Sequence, residues 1–127
     1  MLEEKVSFSI NGAKTIVGVL DHPPGESPCG AIILCHGMDS SKNSEKLVSL
    51  GRGLATRGFL TLRFDFAYVG ESSEKFEDIT YSGEVEDLRA ACSFMRDRYS
   101  GGIGILGSSM GGTVALLFAA EDPGIAA

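Results

Sequence analysis

The residues best suited to chemistry in this chain of 127 residues are Gly107-Ser108-Ser109-Met110-Gly111. A serine with a glycine two positions away on each side suits a tight strand-to-helix turn. The backbones there approach too closely for side chains at the outer positions, and the serine hydroxyl is left exposed. Such a hydroxyl is a weak nucleophile until a base takes its proton; it can then form a covalent acyl intermediate. The match alone is a weak signal, because a chain with 17 glycines and 14 serines in 127 residues would show it by chance in roughly one shuffled sequence of four. The strand before it and the helix after it favour the turn over a structural serine. A second group lies upstream, at His36-Gly37-Met38. Gly37 lets the chain turn after an apolar run, so that the Met38 N–H can point towards Ser109. With the Met110 N–H at a helix N-terminus it would form an oxyanion hole, each donor contributing roughly 3–4 kcal/mol to transition-state stabilisation.

These groups need elements to hold them. Val6, Phe8 and Ile10 alternate with Ser7 and Ser9, which predicts a first strand. Asn11-Gly12 then predicts a two-residue type I′ turn into an antiparallel second strand over 14–20. His22-Pro23-Pro24-Gly25 stops that strand, since proline supplies no ladder donor. Ala31-Ile32-Ile33-Leu34-Cys35 is apolar throughout, the signature of a strand buried on both faces of a parallel sheet. A helix over 43–57 follows, capped by Asn43 or Ser44, with Leu47, Leu50 and Leu54 inward and Gly58 as its stop. Residues 59–64 form a fourth strand. A helix over 78–99 carries Val85, Leu88, Cys92, Met95 and Tyr99 on one face, with Glu84, Glu86 and Asp87 as a solvated acidic N-terminus. A fifth strand over 103–106 leads through the serine turn to a helix over 110–121, ended by Pro123-Gly124. The expectation is one α/β domain over 1–127, in the order β-β-β-α-β-α-β-α.

Composition narrows the function. With 43% hydrophobic and 22% charged residues the chain is globular in type. A net charge of −6 offers no basic patch for nucleic acid. The longest nearly unbroken apolar run, around 31–35, is far short of the roughly 20 residues a membrane-spanning helix needs, so no membrane partner is expected. Cys29, Cys35 and Cys92 are odd in number and lack metal-type spacing, and no leader precedes them; free thiols, no metal and a cytoplasmic location are the reading. Gly102-Ile103-Gly104-Ile105-Leu106-Gly107 spells the dinucleotide fingerprint, but its glycines fall within a strand instead of after one, so no dinucleotide or other cofactor is expected.

Three motifs in order carry a family resemblance: His36-Gly37 after the third strand, the segment from Asp65 to Ser72 after the fourth, and the elbow at Ser109. Along its whole length the chain resembles the α/β-hydrolase superfamily, and within it the small bacterial and archaeal carboxylesterases of the cinnamoyl/feruloyl esterase type. The middle motif matches Asp-x-Arg-Gly-x-Gly-x-Ser at Asp65, Gly70 and Ser72 and departs from it at Ala67 and Tyr68, which touches substrate preference; Asp65 is read as structural. The resemblance implies a mostly parallel sheet ordered 1-2-4-3-5 with an antiparallel N-terminal hairpin and three covering helices. It also implies a serine hydrolase acting on a small-molecule ester, with Ser109 catalytic, Met38 and Met110 as oxyanion donors, and His36, Gly37, Gly107 and Gly111 in support.

In that superfamily the triad runs Ser, then acid, then His along the chain. No histidine follows Ser109, and Glu121 and Asp122 belong to the far end of the last helix. His22 is expected at the opposite edge of the sheet, and His36 is read as ordering the oxyanion loop more readily than acting as a base. Complete domains of this kind run to roughly 200–250 residues. The chain is therefore read as the N-terminal half of a catalytic domain, inactive alone, with a non-catalytic binding or association module as the alternative. Residues 124–127 look like the start of a sixth strand, so the fifth strand's outer edge is expected to be bare and to drive self-association.

Overall fold

Alternation, apolar runs and helix caps each find their place in the computed structural model, which describes residues 2–10, 12, 14–25, 27–38, 40–69 and 80–127. Strands β1 (Leu2–Ile10) and β2 (Lys14–His22) pair antiparallel. Ile10 faces Lys14, so three residues connect them where the Asn11-Gly12 signal predicts two, with Gly12 at φ +71°. β2 continues past the predicted residue 20 to His22, held by the pairing of Leu2 with His22. β3 (Gly30–Cys35), β4 (Phe59–Phe64) and β5 (Ile103–Gly107) are mutually parallel, and β2 joins β4 antiparallel. The sheet is ordered β1-β2-β4-β3-β5, as the resemblance implied, and its parallel part is the three core strands.

Helix α1 (Glu45–Thr56) covers one face, against β4 and β2. Ser44 is its cap, its hydroxyl accepting from the Leu47 N–H at 3.2 Å. Its buried stripe is Leu47, Gly51 and Ala55, not the predicted Leu47, Leu50 and Leu54. The helix is rotated because it crosses a buried ion pair: a Cβ at Gly51 would stand 2.7 Å from Asp21 Oδ2, itself 3.1 Å from Arg63 Nε. Only a small residue fits there.

The other face carries α2 (Tyr81–Arg98) and α3 (Met110–Glu121) over the main core, where Ile33, Phe64, Leu88, Met95, Val114 and Phe118 meet. The Thr80 hydroxyl caps α2 by accepting from the Gly83 N–H, so the helix begins later than the predicted residue 78, which lies outside the described residues. The acidic N-terminus is not solvated as expected: Glu84 and Asp87 are buried. Asp87 Oδ2 accepts from the Ala67 N–H at 2.9 Å and Oδ1 lies 3.6 Å from Lys14 Nζ, which ties α2 to the loop after β4 and to β2.

The expected bare edge of β5 is partly occupied. Ile125 pairs parallel with Ile103, the Ala126 N–H donates to Ile103 O, and the Ile105 N–H donates to Ala127 O. Residues 125–127 thus lie along the strand and give its outer groups from Ile103 to Ile105 backbone partners. Among the described residues no helix is long and apolar enough to cross a membrane. Cys29, Cys35 and Cys92 are free thiols.

Candidate active site

Past β5 the chain reverses at Ser109, whose φ of 56° and ψ of −119° make it the one described non-glycine residue with positive φ. Such strain in a residue with a Cβ persists where the surroundings enforce it. They do so through two close approaches. A Cβ on Gly107 would collide with the Gly111 carbonyl, and a Cβ on Gly111 would collide with the carbonyls of Cys35 and His36. The Ser108 N–H donates to Cys35 O at 3.1 Å, fixing the turn to the end of β3. Ser109 is left exposed at the carboxyl edge of the sheet, and Met110, buried, opens α3.

The His36-Gly37-Met38 loop stands against it: a Cβ on Gly37 would lie 3.4 Å from Ser109 Cβ. His36 is buried between Phe66 and Tyr68, edge-on to both rings. Its Nδ1 lies 2.6 Å from Gly37 O and its Nε2 accepts from the Phe66 N–H at 3.1 Å, so the proton belongs on Nδ1 and both nitrogens are engaged. Burial holds the His36 pKa below its ordinary value, against the Gly37 hydrogen bond and the nearby Asp65, which favour the charged form. Burial likewise pushes the Cys35 thiol up, so it is inert.

Further contacts hold the loop. The Tyr68 hydroxyl donates to Met38 O at 2.8 Å. Asp65, buried, accepts from the Lys42 N–H at 2.8 Å and from Lys42 Nζ at 2.7 Å, and Arg63 Nη1 donates to Lys42 O at 3.0 Å. Asp65 is therefore structural, as read; Gly70 and Ser72 lie outside the described residues. A cleft of about 350 Å³ opens beside Ser109, bordered by Gly37, Met38, Ser40, Lys46 and Ser108. His22 belongs elsewhere: it follows Asp21, which is level with Thr61 and thus with Ile32, towards the amino end of β3, and its Nε2 lies 2.9 Å from Glu4 Oε1. The described residues include no cluster of His, Cys, Asp and Glu able to hold a metal ion.

A profile of the family described as serine aminopeptidase, S33, matches residues 26–127. The chain belongs to that family. Among curated proteins this S33 chain is similar to 2,6-dihydropseudooxynicotine hydrolase of Paenarthrobacter nicotinovorans, at 34% identity over 83% of the chain and 28% of that protein. It is also similar to esterase FrsA of Enterobacter sp. (strain 638), at 31% identity over 55% of the chain and 17% of that protein. Among solved structures, Est1E of Butyrivibrio proteoclasticus, determined with ferulic acid bound, superposes with a TM-score of 0.87 at 27% identity, covering 94% of this chain and 49% of that one. An esterase of Pyrococcus furiosus superposes with a TM-score of 0.84 at 27% identity, covering 98% and 48%. The chain thus spans less than a third of these curated relatives and about half of these solved structures, and its fold is a partial α/β-hydrolase fold.

Motif reading placed Ser109, Gly107, Gly111, Gly37 and His36 together, and the S33 structure brings them together. It passed over Lys46, whose Nζ donates to Ser108 Oγ at 3.1 Å, and the Tyr68 hydroxyl on the Met38 carbonyl. Both contacts span long stretches of sequence, and neither leaves a local pattern. The departure at Tyr68 from the family motif was the one available signal.

Proposed function

We infer that the protein carrying this chain hydrolyses carboxylic esters through an acyl intermediate on Ser109. Ser109 Oγ attacks the ester carbonyl while a general base takes its proton. The oxygen anion of the tetrahedral intermediate is held by the Met38 and Met110 N–H groups. The alcohol leaves with a proton, and water then cleaves the acyl-serine, releasing the acid and regenerating Ser109. The observation that carries this reading is the enforced positive φ of Ser109, at the mouth of a cleft and the N-terminus of α3.

His36 supports the step without being its base. The Gly37 carbonyl and the Met38 N–H belong to one trans peptide plane and point in opposite directions. His36 Nδ1, bonded to that carbonyl at 2.6 Å, holds the plane and with it the direction of the N–H. With both nitrogens of His36 engaged and His22 at the opposite edge of the sheet, the base and its acid partner come from residues outside these 127. The 127-residue chain by itself is then close to inactive.

Covalent trapping tests the assignment. The product of the full reading frame is treated with a p-nitrophenyl alkylphosphonate and digested, and the adduct is located by tandem mass spectrometry. A single adduct on Ser109 supports the reading; stoichiometric labelling of another residue with Ser109 unmodified removes it.

A further inference from the structure

The cleft beside Ser109 holds a charge that ester hydrolysis as such does not require. Lys46, in the first turn of α1, lines it together with Ser108 and Ser109, and among the described lining residues it is the one charged side chain. The chain as a whole carries a net charge of −6, so a lone cation here is not the overflow of a basic surface. The cations nearest it in sequence are paired: Lys42 with Asp65 at 2.7 Å, and Arg52 with Glu3 at 3.0 Å. Glu45, next in sequence, borders a different groove with Asn43 and Arg52. Among the described residues Lys46 meets a neutral partner, the Ser108 hydroxyl at 3.1 Å, which leaves its charge uncompensated.

Ser108 accepts that bond, so its own O–H remains available to donate. An ammonium and a hydroxyl therefore converge one residue before the nucleophile. Two such donors suit a carboxylate, whose two oxygens accept from both, and charge-assisted bonds of this kind are stronger than neutral ones. We propose that Lys46 and the Ser108 hydroxyl form a carboxylate subsite that selects esters bearing a negative charge a few bonds from the scissile carbonyl. The substrate class is the half ester of a short dicarboxylic acid. The proposal rests on Ser109 being the reacting serine, since the subsite is defined by sharing that residue's cleft and by Ser108 preceding it in the chain.

Binding tests it without needing turnover. The isotopically labelled 127-residue chain is titrated with monomethyl succinate and with dimethyl succinate, which have nearly the same shape and differ in charge, while the amide resonances of Gly37, Ser108 and Ser109 are followed by NMR. The half ester is expected to saturate those shifts about fivefold more tightly than the diester at low salt, with the margin shrinking as salt rises. Lys46→Gln levels the two ligands, and Lys46→Arg keeps the preference. Equal affinities, a preference that survives Lys46→Gln, or no saturable shift from the half ester would each overturn the subsite. Ser109→Ala is expected to retain the charge preference. Failure of the nucleophile assignment is read separately, by phosphonate trapping.

Discussion

The backbone N–H of Phe66, just past β4, donates to Nε2 of His36, just past β3, across 3.1 Å. That bond joins the loops after two neighbouring parallel strands and uses the one lone pair a neutral imidazole has to offer. A second proton on the ring would expel the Phe66 N–H and place a charge in a buried site.

Stability should therefore fall in mild acid. Burial lowers the His36 pKa from 6.5, so below that value the unfolded chain binds the proton more readily than the folded one. Stability is then full above about pH 6.5 and is lost as the pH drops towards the folded pKa. Glu3, Glu4 and Asp122, whose pKa values are also lowered, titrate below this window. Urea denaturation between about pH 7 and pH 5.5 should show the decline, and His36→Gln should flatten it; an equal slope in that variant would assign the proton elsewhere.

Gly111 and Gly53 should respond in opposite directions to the same added methyl. At Gly111 it meets the carbonyls of Cys35 and His36, backbone atoms that cannot yield without moving β3. Gly111→Ala should cost about 2–4 kcal/mol. At Gly53, within α1, nothing lies within 4 Å, so Gly53→Ala should gain about 0.5–1 kcal/mol from helix propensity. Thermal denaturation of the two variants reads both signs.

Removing the cation from the buried pair beneath α1 should be severe. Arg63 is 3% exposed and Asp21 fully buried, and Arg63 also donates to Lys42 O and, at 2.8 Å, to Glu3 Oε2. Arg63→Met strands the Asp21 carboxylate and should cost about 3–5 kcal/mol in urea denaturation. A loss below about 1 kcal/mol would mean that the pair does little to hold α1 on the sheet.

Arg63 also marks the limit of what the sequence disclosed. The serine turn was legible because its glycines answer a local steric demand, and the strands because alternation and apolar runs are local too. The strand order came through the resemblance to a family, not from periodicity. What escaped was long-range: the Asp21–Arg63 pair that turns α1 onto Gly51 and Ala55, and the burial of Glu84 and Asp87, whose place at a helix start reads equally well as solvated. The start of a sixth strand at 124–127 was legible; that residues 125–127 would already cover part of the β5 edge was not.

Occupation of the β5 edge redirects the expected self-association. On α3, Val114 and Phe118 are buried, while Leu116 is 75% and Leu117 46% exposed. Association of the 127-residue chain should run through this helix face instead of a β5–β5 contact. Light scattering at micromolar concentration should find a species above 13.4 kDa that the double change Leu116→Glu and Leu117→Glu returns to that mass. A chain of 13.4 kDa without the changes would remove association altogether.

The nucleophilic role of Ser109 is tested most directly by steady-state hydrolysis of p-nitrophenyl acetate, comparing the product of the full reading frame with its Ser109→Ala variant and with the 127-residue chain. If Ser109 is the reacting serine and its base lies outside the 127 residues, Ser109→Ala should lower kcat of the full product by about 10⁴-fold or more, and the 127-residue chain should match its own Ser109→Ala control. Turnover by the full product that survives Ser109→Ala, or Ser109-dependent turnover by the 127 residues alone, would contradict this. The first would displace Ser109 as nucleophile, and the second would make His36, with both nitrogens engaged, the base after all.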